Sequence, residues 1–497
     1  MNRRQFLQAT SAVLAHQGLA HAAIHAVDVN ETSLARDPRR PQFHLLPAKN
    51  WMNDPNGPIY FNGRYHMFFQ YNPQAAVWGN MSWNHAASPD MIHWEHLPVA
   101  LVPTSDGPDS AGCFSGSTIT VPHGGGQRVY ALYTGVVHDK QNETIRNEGL
   151  RESQCLAWSD DPMLRTWQKQ AEPILPRPPQ GLHITGFRDP CLLEQDGSYL
   201  MIVGSGINSV GGCALLYRSP DLKQWDYLHP IATGSWNGAV SSNPVDDGEM
   251  WECPDLFALD GKFVLIYSTL RRVFWQSGTL DPATLRFTPE KGGLLDLGDF
   301  YAPKTQLDAN GRRILWGWIP EKRSEAAMRE AGWSGMMSLP RVLRLSPDGT
   351  LRIQLLPELK TLRSDAGLPM TRSRAEVTLT LPVANGEITC KGKRGQPLHV
   401  SIQLAGNEIL SIEYLPGLHA VRMADREVAL DETHFPSLHL LVDGSIVEAI
   451  VSETMACTKR FYYDGDLAPD VTIHITGGVD SVECWKVRPI SNDRLTT

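Results

Sequence analysis

The sequence of 497 residues is short of basic side chains, with 45 Lys and Arg against 54 Asp and Glu and a net charge of −9. A nucleic-acid binder needs a basic face to displace counterions, so that class is disfavoured. Apart from a mildly apolar stretch near residue 10, no run reaches the roughly 18 apolar residues of a membrane helix, so no membrane partner is expected for the mature chain. Eight cysteines are scattered without a CxxC pair, which signals neither a zinc site nor a dense disulfide framework. GxSxG, Walker, GxGxxG and HExxH motifs are all missing, and His93-Trp94-Glu95-His96 has the wrong spacing for two ligands on one helical face. Metal and nucleotide readings therefore fall away. Oligomeric state is not legible.

Long amphipathic helical patterns are also missing. Instead, short apolar stretches alternate with clusters of Gly, Pro, Asn and Asp for some three hundred residues, which is an all-β signature. Three segments stack as a repeat: Ser88-Pro89-Asp90-Met91-Ile92-His93-Trp94, the stretch from Ser159 to Trp167, and Ser219-Pro220-Asp221-Leu222-Lys223-Gln224-Trp225. A weaker copy runs from Ser277 to Phe287. A period of roughly sixty residues suits a four-stranded propeller blade with generous loops. Residues 41–345 then form a five-bladed β-propeller whose fifth blade is expected to lack the repeat; a sandwich with recurrent turns is the plainer alternative. Residues 346–369 read as a linker with a helix-like stretch at 355–362. Period-2 strands at 377–381, 398–404, 409–414, 438–442, 446–451, 471–475 and 482–487 predict a β-sandwich over residues 370–490. Residues 24–40 read as an extended lead-in.

At the N-terminus, Asn2-Arg3-Arg4-Gln5-Phe6-Leu7 precedes a mildly apolar stretch that ends in Ala20-His21-Ala22, a small-x-small cleavage pattern. The paired arginines resemble a twin-arginine export signal over residues 1–23, with Asn2 where Ser or Thr is more usual. Export to a periplasmic or extracellular location is the expectation. A basic, frayed terminus is the alternative.

Three acidic motifs remain: Trp51-Met52-Asn53-Asp54-Pro55-Asn56-Gly57, Gly186-Phe187-Arg188-Asp189-Pro190 and Trp251-Glu252-Cys253-Pro254-Asp255. Each sets a carboxylate among bulky apolar residues near a proline, which biases the residue before it toward extended backbone. Taken singly, each has a plain structural reading: a tight turn for Asn53 to Gly57, an ion pair for Arg188 with Asp189, a solvated acid for Glu252. Cys253 reads as a small buried hydrophobe rather than a reactive thiol. Yet all three motifs fall in a similar phase of the blade repeat. If each starts an inner strand, Asp54, Asp189 and Glu252 converge on the central channel, as acid-base chemistry on a sugar requires.

In these motifs and their order the chain resembles glycoside hydrolase family 32, the β-fructofuranosidases that include invertases, levanases and exo-inulinases. Supporting matches are Phe69 to Pro73, Trp78 to Trp83, Phe114 to Ser117, Tyr301 to Lys304, Trp316-Gly317-Trp318 and, in the sandwich, Val442 to Glu448. The resemblance implies a retaining mechanism: Asp54 as nucleophile, Glu252 as acid and then base, and Asp189 as transition-state stabiliser, holding ring hydroxyls with Arg188 beside it and keeping it ionised. It also implies a sugar-binding set of Asn53, Gln70, Trp78, Phe114, Ser115, Arg188, Asp296, Tyr301 and Trp318. No cofactor is required, and the partner is a small sugar or a fructan. Asp296-Leu297-Gly298-Asp299 stands where plant invertases often carry Asp-x-x-Lys facing the glucose of sucrose, so Asp299 in the Lys position weakens a strict sucrose preference. A fructosyltransferase with the same residues, an inverting hydrolase on a related scaffold and a silent fructan-binding protein are the competing readings.

Overall fold

The computed structural model describes residues 31–495 apart from 143–148, 240–242, 366, 374–375 and 431–435; the export-signal segment lies outside the described residues. Five antiparallel sheets follow one another along the chain, each running from an inner to an outer strand. Their innermost strands are Asn50–Phe61, Gly112–His123, Ile184–Gln195, Glu252–Leu259 and Tyr301–Leu307. Each innermost strand packs against that of the next sheet, and the fifth packs back on the first, so the sheets close a ring. This is a five-bladed propeller. Trp333-Ser334 seals it by pairing in parallel with Asn50-Trp51, adding a late strand to the earliest blade. Gly335 turns the chain away at φ 76°, where an added Cβ would lie 1.9 Å from the Met52 carbonyl oxygen.

The repeated Ser-Asp-Trp segments are the turns between the third and outer strands of the blades. In each, the Asp carboxylate accepts from backbone N–H groups just downstream: Ile92 and His93 on Asp90, Met163 and Arg165 on Asp161, Lys223 and Gln224 on Asp221. A buried apolar residue in left-handed conformation then plugs the blade: Met91, Leu164, Leu222 and, in the weaker copy, Leu285. The expectation that the fifth blade lacks the repeat is corrected. Ser346-Pro347-Asp348-Gly349 forms the same turn there, with Asp348 accepting from the Thr350 N–H. Gly349 takes the left-handed position at φ 85° in place of the plug, and the Trp that closes the three strong copies is absent. The outer strand of this blade, Leu351–Leu355, lies within the residues read as linker, followed by a short 3-10 helix, Pro357–Leu362.

The chain beyond builds two sheets face to face, seven-stranded and five-stranded. All seven strands read from period 2 are present; Met370–Arg372, Asn385–Gly392, Ala420–Met423, Arg426–Ala429 and Met455–Arg460 join them. Val377, Leu379, Leu381, Val400, Ile402, Leu440, Val442, Val447, Ile473 and Ile475 point inward at alternate positions and fill the space between. The lead-in is not extended throughout: Glu31–Arg36 is a helical turn and a half that drops Leu34 against Leu46, Trp333, Met336 and Ile446. Among the described residues no helix is long and apolar enough to cross a membrane.

Sandwich and propeller share one core, in which Leu441, Ile450 and Ala456 meet Phe43, Leu45, Leu339, Leu343 and Ile353. Within it lies a fully buried ionic network. Arg341 donates to Asp296 (2.8 Å) and Glu448 (2.7 Å), and His44 bridges Asp443 (2.8 Å) and Glu448 (3.0 Å). Although burial opposes its charge, the two carboxylates hold His44 protonated up to about 9. Against the same burial cost, Arg341 and His44 keep Glu448 down at about 2. The sign follows from linkage: a raised His pKa contributes stability in full below the ordinary value near 6.5 and loses it as pH climbs through about 9. Glu448→Gln, which leaves two buried cations beside a neutral amide, is expected to cost about 3–5 kcal/mol. It should also bring the alkaline loss of stability to lower pH, as measured by thermal melts between about pH 6 and 10.

Candidate functional site

Each of the five innermost strands carries one residue too many at the same register. Asn53-Asp54, Phe114-Ser115, Asp189-Pro190, Cys253-Pro254 and Ala302-Pro303 each oppose a single residue of the second strand, respectively Gln70, Thr134, Val203, Tyr267 and Gly317. Such bulges bend a strand and re-aim its side chains. Proline suits three of them because the unpaired position has no ladder bond to lose. Asp189, Cys253 and Ala302 accordingly sit at φ 64°, 47° and 50°, a conformation that side-chain-bearing residues adopt only under constraint. Asp54, Asp189 and Glu252 thus come from three different offsets around one repeated bulge, which is why their motifs do not superpose residue for residue.

The bulges bring the carboxylates together. Cys253 is the hub: its buried Sγ lies 3.5 Å from Asp54 Oδ2 and 3.3 Å from Asp189 Oδ2, and its backbone N–H donates to that same Asp189 oxygen at 2.9 Å. Burial, with Asp189 and Asp54 adding to it, pushes the thiol well above its ordinary range, so it serves as an S–H donor and not as a nucleophile. Asp54 also accepts from Ser115 Oγ (2.7 Å) and Asn53 Nδ2 (3.1 Å), while Asn53 Oδ1 accepts from Trp51 Nε1 (2.7 Å). Glu252 takes the Arg188 Nε and Nη2 protons on Oε1 (3.1 and 2.7 Å) and the Tyr301 hydroxyl on Oε2 (2.8 Å).

Arg188 does not pair with Asp189 as the sequence suggested. Its guanidinium spans Glu252 and Glu152, the latter at 2.9 Å. Asp189 is instead pushed up to about 7 by burial, with Glu252 and Asp54 adding to the shift and Arg188 offsetting only part of it. Beneath the acids, Thr134 Oγ1 accepts from the Asp189 N–H (2.9 Å) and Gln154 Nε2 donates to the Phe187 carbonyl (2.8 Å). Gln70 lies under the site and donates to the Cys113 carbonyl at 3.0 Å. Trp78 and Phe114 meet edge to face at 5.9 Å, Trp318 lies 5.9 Å from Trp51 and 6.5 Å from Tyr301, and these rings form the apolar wall.

Asp296 is the exception. Its side chain is fully enclosed in the network joining the two domains, held by Arg341, Thr458 and the Gly298 N–H, so it faces no cavity and is removed from the sugar-binding set. Asp299 also leans on the sandwich: its carboxylate accepts from the Arg460 N–H (2.9 Å) and pairs with Lys322 (2.6 Å). A lysine therefore does meet this segment, supplied from elsewhere in the chain. Sequence reasoning passed over Glu152, Thr134, Gln154 and the donor role of Cys253. Glu152 and Gln154 belong to a strand buried almost throughout, yet Arg151-Glu152-Ser153-Gln154 reads as a polar stretch, so nothing local set them apart.

Comparison with known proteins agrees with this architecture. Residues 44–355 match the family model for the glycosyl hydrolases family 32 N-terminal domain. The chain is 35% identical over 460 residues to a raffinose invertase of Escherichia coli, covering 86% of this chain and 90% of the relative. It is 32% identical over 496 residues to a sucrose-6-phosphate hydrolase of Bacillus subtilis, covering 93% and 96%. Among solved structures, a mutant of the Bombyx mori β-fructofuranosidase BmSUC1 in complex with sucrose superposes with a TM-score of 0.76 at 28% identity, covering 98% of this chain and 99% of that one. The chain belongs to glycoside hydrolase family 32. It is a β-fructofuranoside-hydrolysing enzyme, with a propeller followed by a β-sandwich.

Because the Asp189 pKa is raised in the fold, its carboxyl contributes full stability only below the unfolded value of 3.8 and loses it as pH rises through about 7. Asp189→Asn is therefore expected to raise the thermal midpoint at neutral pH, by the equivalent of about 2–4 kcal/mol. The gain should be absent near pH 3, grow from about pH 4 to 7 and then level, which melts of both proteins across that range would read.

Proposed function

We propose that the enzyme is a retaining β-fructofuranosidase acting on terminal fructosyl residues of sucrose, oligofructosides or fructans. Asp54 attacks the anomeric carbon of the fructosyl unit while protonated Glu252 delivers its proton to the departing oxygen. Glu252, now a carboxylate, then draws a proton from water, which releases fructose from Asp54 with configuration retained. Both Arg188 protons that reach Glu252 fall on Oε1, so the transferable proton belongs on Oε2, the oxygen that Tyr301 orients. Asp189 holds ring hydroxyls, and an ionised carboxylate at that point strengthens its hold as the ring gains positive charge. Asn53, Ser115 and the wall of Trp78, Phe114 and Trp318 receive the fructosyl ring, with Gln70 bracing the floor.

The single observation behind this assignment is the gathering of Asp54 and Asp189 on the sulfur of Cys253, whose neighbour is Glu252. A binding protein has no need of three acids in so enclosed a place. The relatives named for raffinose, sucrose 6-phosphate and sucrose itself support a disaccharide or short oligosaccharide with a β-fructosyl end, and the Lys322-Asp299 pair leaves the glucose side open to variation. We further propose, from Arg3-Arg4 and Ala20-His21-Ala22, that the enzyme is exported through a twin-arginine route.

The expected outcomes are distinct for the two key acids. Glu252→Ala loses about 10²–10⁴-fold in kcat on sucrose, the span of general acid catalysis. It should recover on β-fructosides with acidic leaving groups, which need no proton in the first step. Asp54→Ala shows no recovery on either substrate, and equal rescue of both variants contradicts the assignment. Fructose release from sucrose, inulin and levan measured side by side defines the substrate range; glucose released in excess of fructose at high sucrose identifies transfer to sugar instead of water.

A further inference from the structure

Arg188 is shared between two carboxylates, only one of which the proposed mechanism uses. Glu252 takes two of its N–H groups; Nη1 goes to Glu152 Oε1 at 2.9 Å, and the other Glu152 oxygen accepts from the Phe187 N–H at 2.7 Å. Glu152 is 0% exposed and stands behind Arg188, in a strand of the second blade, while Arg188 comes from the third and Glu252 from the fourth. Its side chain is closed off from solvent.

The charges around the acid explain why two are present. Those facing Glu252 are Arg188 and Asp189 from the third blade, Tyr301 from the fifth and its own neighbour Cys253; Asp54 from the first blade acts on Asp189 and Cys253, and underneath Lys304 donates to the Pro254 carbonyl at 2.8 Å. Those facing Arg188 are Glu152, Glu252 and Asp189. A guanidinium placed against a general acid favours the ionised form, which is the wrong form for the first step. We propose that Glu152 is a positioning residue that offsets the charge of Arg188, so that the guanidinium can hold Glu252 in place without taking its proton away. The inference rests on Glu252 being the acid of the proposed mechanism and adds the group that sets its working pH.

The sign is fixed by electrostatics. Neutralising Glu152 removes a like charge near Glu252 and leaves Arg188 less compensated, and both effects favour the Glu252 carboxylate. The alkaline limb of kcat/KM, which reports loss of the acid's proton from the free enzyme, then moves to lower pH. Glu152→Gln retains an acceptor for the Phe187 N–H and the shape of the side chain; its limb is expected about one pH unit below that of the parent. Glu152→Asp keeps the charge while shortening the reach, so kcat falls and the limb stays in place.

The test is the pH dependence of kcat/KM on sucrose for the parent and both Glu152 variants, with Glu252→Ala followed on a β-fructoside bearing an acidic leaving group. A downward limb in Glu152→Gln with an unmoved limb in Glu152→Asp supports the proposal. An unmoved or raised limb in Glu152→Gln overturns it, as does an equal downward shift in Glu152→Asp, which also decides the matter should the Gln variant not fold. If the alkaline limb persists in Glu252→Ala, the assignment of Glu252 as acid fails; if it vanishes there yet stays fixed in Glu152→Gln, the role of Glu152 fails alone.

Discussion

One extra residue in each innermost strand is the constraint on which the site depends. A regular ladder would point alternate side chains into the neighbouring blades and leave the channel lined by whatever the pleat dictated. The bulge breaks that alternation at one height in every blade, and a closed ring of five bulges turns a repeated irregularity into a pocket. Three of the bulged strands hold a residue in left-handed conformation at that point. The strain persists because the surrounding blades are paired strand by strand and sealed by buried aromatic and aliphatic side chains.

Within the pocket, enclosure and charge are balanced against each other. Three carboxylates, those of Asp189, Glu252 and Glu152, surround a single guanidinium, with Asp54 acting on Asp189 and the ammonium group of Lys304 beneath. Such a grouping costs stability, and its raised Asp189 pKa marks where that cost falls. The cost is tolerated because the same enclosure makes charge act strongly on a bound sugar. At the domain boundary the balance runs the other way: His44, Arg341, Asp296, Asp443 and Glu448 are buried with their partners matched, and the network locks sandwich to propeller.

Much of this was legible in the sequence, for identifiable reasons. Strands of the sandwich follow period 2 because one face of each is buried, so their alternation survives in the text. The blade turns were visible where an Asp and a closing Trp recur, and were missed in the fifth blade because Gly349 replaces the apolar plug. Asp54, Asp189 and Glu252 stood out because acids beside prolines and aromatics are unusual. Other features leave no local trace. Asp296 carries the same letter whether it faces a sugar or Arg341, and only the fold decides. Arg188 adjoins Asp189 in sequence, yet its side chain turns to partners 36 and 64 residues away. Lys322 meets Asp299 from another segment, a pairing that spacing does not reveal.

The seal made by Trp333-Ser334 against Asn50-Trp51 joins the last part of the propeller to the strand that bears Asp54. During synthesis this strand emerges early and waits for nearly three hundred residues before the partner on its free edge exists. Contacts of such separation are slow to form and cannot be anticipated locally. A ribosome-bound fragment that stops short of Trp333 thus lacks this support for Asp54, whereas a finished ring secures it from both ends of the fold.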